Sequence, residues 1–152
     1  MILIAYDGSD DARAAVEQAA GLWPSQQATV LSVWTPFTEV LAHYSPGLAP
    51  EMVDYEEIDA ASRKVAGERA REGAELARAG GLDATPREAK QTTTTAEAIL
   101  AEGSDIGATV IVVGTRGLTG VKSLLLGSVS HGVVHHARVP VLVVPSRDVD
   151  AD

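Results

Sequence analysis

Four short aliphatic runs and one weaker segment, separated by stretches of helical periodicity, constrain this chain more than any other feature. The aliphatic runs are Ile2 to Ala5, Ala28 to Trp34, Val110 to Val113 and Val141 to Val144. They are rich in β-branched residues and too short for helices, so they read as strands. Thr85 to Ala89 is the weaker segment, and Pro86 assigns it to a sheet edge, where a missing N–H is tolerated.

The intervening stretches read as helices. Ser9 can cap the first, Asp10 and Asp11 suit its opening turn, and Ala12, Ala15, Val16, Ala19 and Ala20 form its apolar stripe before Pro24 closes it. Residues 35–50 carry Pro36, Pro46, Gly47 and Pro50 and read as a long irregular connection. A long surface helix is expected from about Glu51 to Ala79, with Ile58, Ala61, Val65, Ala70, Ala74 and Ala77 inward. Thr94-x-x-Glu97 is a capping box for a helix reaching about Ile106, although the Thr92 to Thr95 run could also meet a ligand. The last helix is expected from Ser128 to about Ala137. The resulting β-α-β-α-β-α-β-α-β order implies an α/β fold, a parallel sheet with helices on both faces. Ligands of such sheets sit at the carboxyl ends of the strands, and Asp7, the Val33–Thr35 region and Gly114 all fall there.

The chain of 152 residues is expected to form one domain over 1–147, followed by an acidic tail over 148–152. A net charge of −9 argues against nucleic acid and against anionic membrane surfaces as partners. There are no cysteines, which excludes disulfides and thiolate sites. No basic leader and no apolar run of membrane-spanning length is present, so a cytoplasmic location is the expectation.

Chemistry concentrates between residues 110 and 130. After the Val110 to Val113 strand, glycines fall at 114, 117 and 120, Arg116 and Lys122 lie among them, and Gly127 and Ser128 open the next helix. Glycine lets an anion approach the backbone without meeting a Cβ. With Ser128 as a cap, the N–H groups of Gly127, Ser128, Val129 and Ser130 would face one point at the positive end of a helix dipole. That combination suits phosphate, with Arg116 and Lys122 as counter-charges. The stretch is neither a P-loop, since Val121 precedes Lys122, nor a G-x-G-x-x-G motif.

Other chemistries find less support. His131 and His135 share a helical face but lack a third ligand, and His135 and His136 suit the negative end of the helix dipole. No G-x-S-x-G elbow occurs, and residues 114–130 contain no acidic group to serve phosphoryl transfer. Dedicated catalysis is therefore not supported.

From Ile2–Ser9 through Val139–Pro145 the chain resembles the universal stress protein family. The most specific element is the pattern Gly, two residues, Gly, nine residues, Gly-Ser of its ATP-binding branch, met here by Gly114, Gly117, Gly127 and Ser128. The resemblance implies a Rossmann-like, adenine nucleotide alpha hydrolase-like sheet of order 3-2-1-4-5. It implies adenine at Asp7 and the backbone of Val33, ribose near Gly114, Thr115 and Arg116, and phosphates at Gly117, Gly127, Ser128, Val129 and Ser130. Asp7 could instead make only an Asx-turn. The ligand implied is ATP, ADP or AMP with Mg²⁺, in a stress-response regulator. An apolar Val141–Val144 edge invites pairing, and the resemblance agrees in implying a homodimer. The alternatives are a dimeric interaction module of the same fold that binds no nucleotide, or a slow ATPase. Gln91 to Thr95 departs from the family pattern, where a glycine or proline is common near the helix start.

Overall fold

The computed structural model describes residues 1–44, 54–117 and 126–145. Its elements are β1 (Ile2–Ala5), α1 (Asp10–Leu22), β2 (Gln27–Trp34), α2 (Phe37–Tyr44), α3 (Tyr55–Ala79), β3 (Asp83–Lys90), α4 (Thr95–Asp105), β4 (Val110–Gly114), α5 (Ser128–His136) and β5 (Val141–Val144). The five strands form one sheet in the order β3-β2-β1-β4-β5, and every pairing is parallel. The weakest strand assignment, around Pro86, lies at an edge, where the absent N–H costs no ladder bond.

Strand alternation divides the core in two. Ile2, Ile4, Val30 and Val112 face α1 and α3, meeting Ala12, Ala15, Val16, Ala19, Ala74 and Ala77. Leu3, Leu31, Ile111 and Val113 face the opposite layer, meeting Ala96, Ile99 and Val133 of α4 and α5. Burial on both faces is why these strands read as continuous apolar runs rather than alternating ones. The alanines let helices sit close to the sheet. At Gly73 even one Cβ would come within 2.7 Å of Val30 and 2.8 Å of Tyr6.

Capping follows the sequence at two helices. Ser9 Oγ accepts the Ala12 N–H at 3.2 Å, and Thr94 Oγ1 accepts the Glu97 N–H at 3.1 Å. Two expectations need correction. The connection after β2 is not irregular throughout, because Phe37–Tyr44 is helical, opened by Pro36, whose carbonyl accepts from Glu39 and Val40. The remainder of that connection, residues 45–50, lies outside the described residues. In α3, Val65 is 43% exposed and Ala61 is exposed as well, whereas Ala66 and Gly73 are buried. The inward stripe is thus 66, 70, 73, 74 and 77. The helix, roughly 38 Å long at 1.5 Å per residue, outruns the sheet at its N-terminal end. There it meets α2, through Phe37 on Tyr55 and the Phe37 N–H on Asp59.

Candidate functional site

The order in which strands are added reverses at β1. Successive strands step outward through β2 to β3, then the chain crosses to β4 and β5 on the other side. Loops leaving the carboxyl ends of β1 and β4 therefore diverge, and a crevice opens between them. The crevice is a cleft of about 550 Å³. Ten of the residues singled out from the sequence line it: Asp7 and Val33 from the β1 and β2 ends, Gly114, Thr115, Arg116 and Gly117 at and after the end of β4, and Gly127, Ser128, Val129 and Ser130 at the start of α5. Leu31, Val33, Ile99 and Val113 give it an apolar lining. Gly120 and Lys122 lie outside the described residues.

The opening of α5 differs from expectation in one respect. Gly127, not Ser128, is the N-cap, and no side chain caps this helix. Ser128 is the first helical residue, and it lies at the cleft wall. The first bond of the helical ladder is from the His131 N–H to Gly127 O at 2.9 Å. The N–H groups of Ser128, Val129 and Ser130 precede that ladder, as the first amides of any helix do, and these residues line the cleft. An anion there would meet aligned N–H groups and the positive end of the helix dipole.

Thr115 fixes where that helix start sits. Its N–H donates to Val144 O at 2.9 Å, and its carbonyl accepts from the Gly127 N–H at 2.7 Å and from Ser130 Oγ at 2.8 Å. Ser130 Oγ also lies 3.0 Å from Gly127 O. The Ser130 hydroxyl is therefore buried and structural, and its contribution toward a ligand is through the backbone. The close approach explains a glycine at 127, where a Cβ would lie 3.2 Å from Thr115 O. At Gly117 a Cβ would lie 2.7 Å from Asp7 Oδ2, so the loop and the Asp7 carboxylate share one crowded corner. Asp7 also makes the Asx-turn, accepting the Ser9 N–H at 2.9 Å.

Asp11 is the residue that sequence reasoning missed. Taken as a first-turn acid, it is only 5% exposed and accepts from Thr115 Oγ1, from the Arg116 N–H at 2.9 Å and from Arg116 Nε at 3.4 Å. It joins α1 to the loop after β4 across a separation of 104 residues. The only local signal was its neighbour Ala12, whose burial placed this helix face against the sheet. The contact also changes the reading of Arg116, whose guanidinium is paired with a buried carboxylate rather than standing alone as a phosphate counter-charge.

Tyr6, also at the cleft wall, is 2% exposed and its hydroxyl donates to Glu72 Oε1 at 2.8 Å, where Arg13 also binds at 2.6 Å. Burial, and then the Glu72 hydrogen bond, push the Tyr6 phenol up to about 12. On α5, the His131 and His135 rings lie 6.0 Å apart, and His136 Nδ1 lies 3.0 Å from Gly132 O in the helix's last turn. No group of three or more His, Asp or Glu able to hold a metal occurs among the described residues. No described helix is long and apolar enough to cross a membrane.

This geometry has known relatives. Residues 1–145 match the Universal stress protein family. The chain belongs to the universal stress protein family. Universal stress protein YxiE of Bacillus subtilis is 32% identical over 94% of this chain and 97% of its own length. Among solved structures, the Archaeoglobus fulgidus universal stress protein in complex with dAMP has a TM-score of 0.60 at 19% identity, covering 94% of this chain and 95% of that one. An Arabidopsis thaliana family member with AMP bound gives 0.63 at 20% identity, covering 97% and 92%. Those likenesses establish the shared sheet order and layers.

Proposed function

We propose that this chain binds an adenine nucleotide, ATP ahead of ADP or AMP, and acts as a nucleotide-dependent regulator in the stress response. One observation carries the reading: ten residues selected from sequence surround a single cleft at the sheet's switch point. The apolar lining suits a purine, with Asp7 and the Val33 backbone at its edge. The backbone amides of Ser128, Val129 and Ser130, with the α5 dipole, suit phosphates, and Mg²⁺ would be carried mainly by the phosphate oxygens. The dAMP and AMP of two structural relatives agree with an adenine ligand. The same reading makes the protein a cytoplasmic homodimer paired through Val141–Val144, an edge strand whose first three residues are half-buried in the single chain.

Calorimetry with ATP and Mg²⁺ on wild type and on Ser128→Asp tests the central step. An acid in a helix's first turn favours the helix by about 0.3–1 kcal/mol, so the variant should melt no lower than wild type. The same charge would repel phosphate. Near-stoichiometric heat in wild type, lost in a variant of undiminished stability, is the expected outcome. No heat in wild type would leave the dimeric interaction module as the better account.

A further inference from the structure

Gln91, just past β3, binds two threonines of the cleft wall and builds a polar rim there. Its N–H donates to Trp34 O at 2.8 Å, which anchors it beside the end of β2. Its side-chain oxygen accepts from Thr95 Oγ1 at 2.7 Å and from Thr35 Oγ1 at 3.3 Å. Its side-chain nitrogen donates to Glu39 Oε2 at 3.0 Å and to Thr93 O at 3.4 Å. A carboxamide has two acceptor positions and two donor hydrogens, so all four are used. The partners also fix which way the amide points. Turned over, its oxygen would face a carboxylate and a carbonyl, and neither can donate.

Each threonine hydroxyl has one proton, and both protons are given to Gln91. Thr35 and Thr95 line the cleft beside Val33 and Ile99. Toward a ligand these hydroxyls therefore present lone pairs alone. To donate instead, either would have to rotate away from Gln91 and leave the amide oxygen short of a partner.

We infer that Gln91 makes this cleft select a 6-amino purine over a 6-oxo purine of the same shape, by holding Thr35 and Thr95 as acceptors. The inference rests on the nucleotide reading above and adds base selectivity to it. A 6-amino group brings N–H donors to the two acceptors. A 6-oxo group brings a carbonyl oxygen against lone pairs. Gln91 is a positioning residue here, acting through the threonines.

The test is a calorimetric comparison of AMP and IMP on wild type, Gln91→Leu and Thr95→Val, with thermal melting of each variant to confirm folding. Wild type should bind AMP about tenfold more tightly than IMP, the scale of one well-made hydrogen bond. Gln91→Leu releases the hydroxyls to rotate, so the ratio should fall toward one, chiefly through tighter IMP binding. Thr95→Val deletes one acceptor, so AMP should weaken while IMP holds, and this variant carries the test if Gln91→Leu fails to fold. Equal wild-type affinities, or an undiminished ratio in a folded variant, would overturn the inference and leave nucleotide binding standing. A wild type that binds neither nucleotide would overturn both.

Discussion

At the residue scale, the cleft is held by side chains whose partners are far away in sequence. Asp11 stabilises the loop after β4 through one hydroxyl, one backbone N–H and one guanidinium, while hardly touching solvent. Removing one member of such a buried pair strands the others, so Asp11→Ala should cost on the order of 3 kcal/mol. Urea unfolding should show a lower midpoint at unchanged slope. Tyr6 gives a pH-dependent counterpart. Its folded value of about 12 lies above the unfolded value of 10.0, so the stability it contributes is full below pH 10 and lost as pH rises toward 12. The stability advantage of wild type over Tyr6→Phe should therefore shrink across that window, measured by urea unfolding at matched pH. A constant difference would mean that the Tyr6 phenol is not buried in solution as it is in this structure. Local chemistry was readable from sequence at Ser9, Thr94 and the glycines, because capping and close approach act within a few residues. Asp11 was not, because a first-turn acid looks the same whether it faces water or a hydroxyl on a distant loop.

At the element scale, α5 is positioned twice, by Thr115 at its start and by α4 along its flank. Gly132 makes that flank close: a Cβ there would lie 2.8 Å from Ala96 Cβ. Gly132→Ala should gain helix propensity and still lose about 1–3 kcal/mol to overpacking, a net fall in melting temperature. A rise in melting temperature would show that the two helices can separate without cost. The strands and four helices were legible because their apolar periodicity is local and strong. The α2 helix was not, since eight residues following Pro36 carry too little periodicity to outweigh three nearby prolines. The inward face of α3 was legible only at Ala70, Ala74 and Ala77, because nearer its N-terminus, at Ala61 and Val65, apolar residues on the same periodicity face solvent. At α5 the serine drew the cap assignment, although a glycine one residue earlier makes the closer approach to Thr115.

For the whole molecule, parallel topology brings four separate loops to one end of the sheet, and the switch point turns that end into a cleft. The α/β architecture followed from the strand–helix alternation alone. The strand order came only with the family resemblance, because periodicity does not say which strands are neighbours. The rim at Gln91 was equally hidden, because its partners come from the ends of β2 and β3 and the starts of α2 and α4, which only the folded sheet gathers. Pairing through β5 would extend the sheet across two copies. Light scattering at micromolar concentration should then give twice the chain mass of 15.8 kDa, and Leu142→Glu should shift it to the monomer.

A nucleotide in this cleft would rest one end on the start of α5 and the other beside Val33. Backbone amide NMR spectra recorded during titration with ATP and Mg²⁺ would report both ends at once. The predicted result is that the Ser128, Val129 and Ser130 amides shift along one saturating curve shared with Val33. Shifts confined to other surfaces, or none at saturating nucleotide, would contradict it.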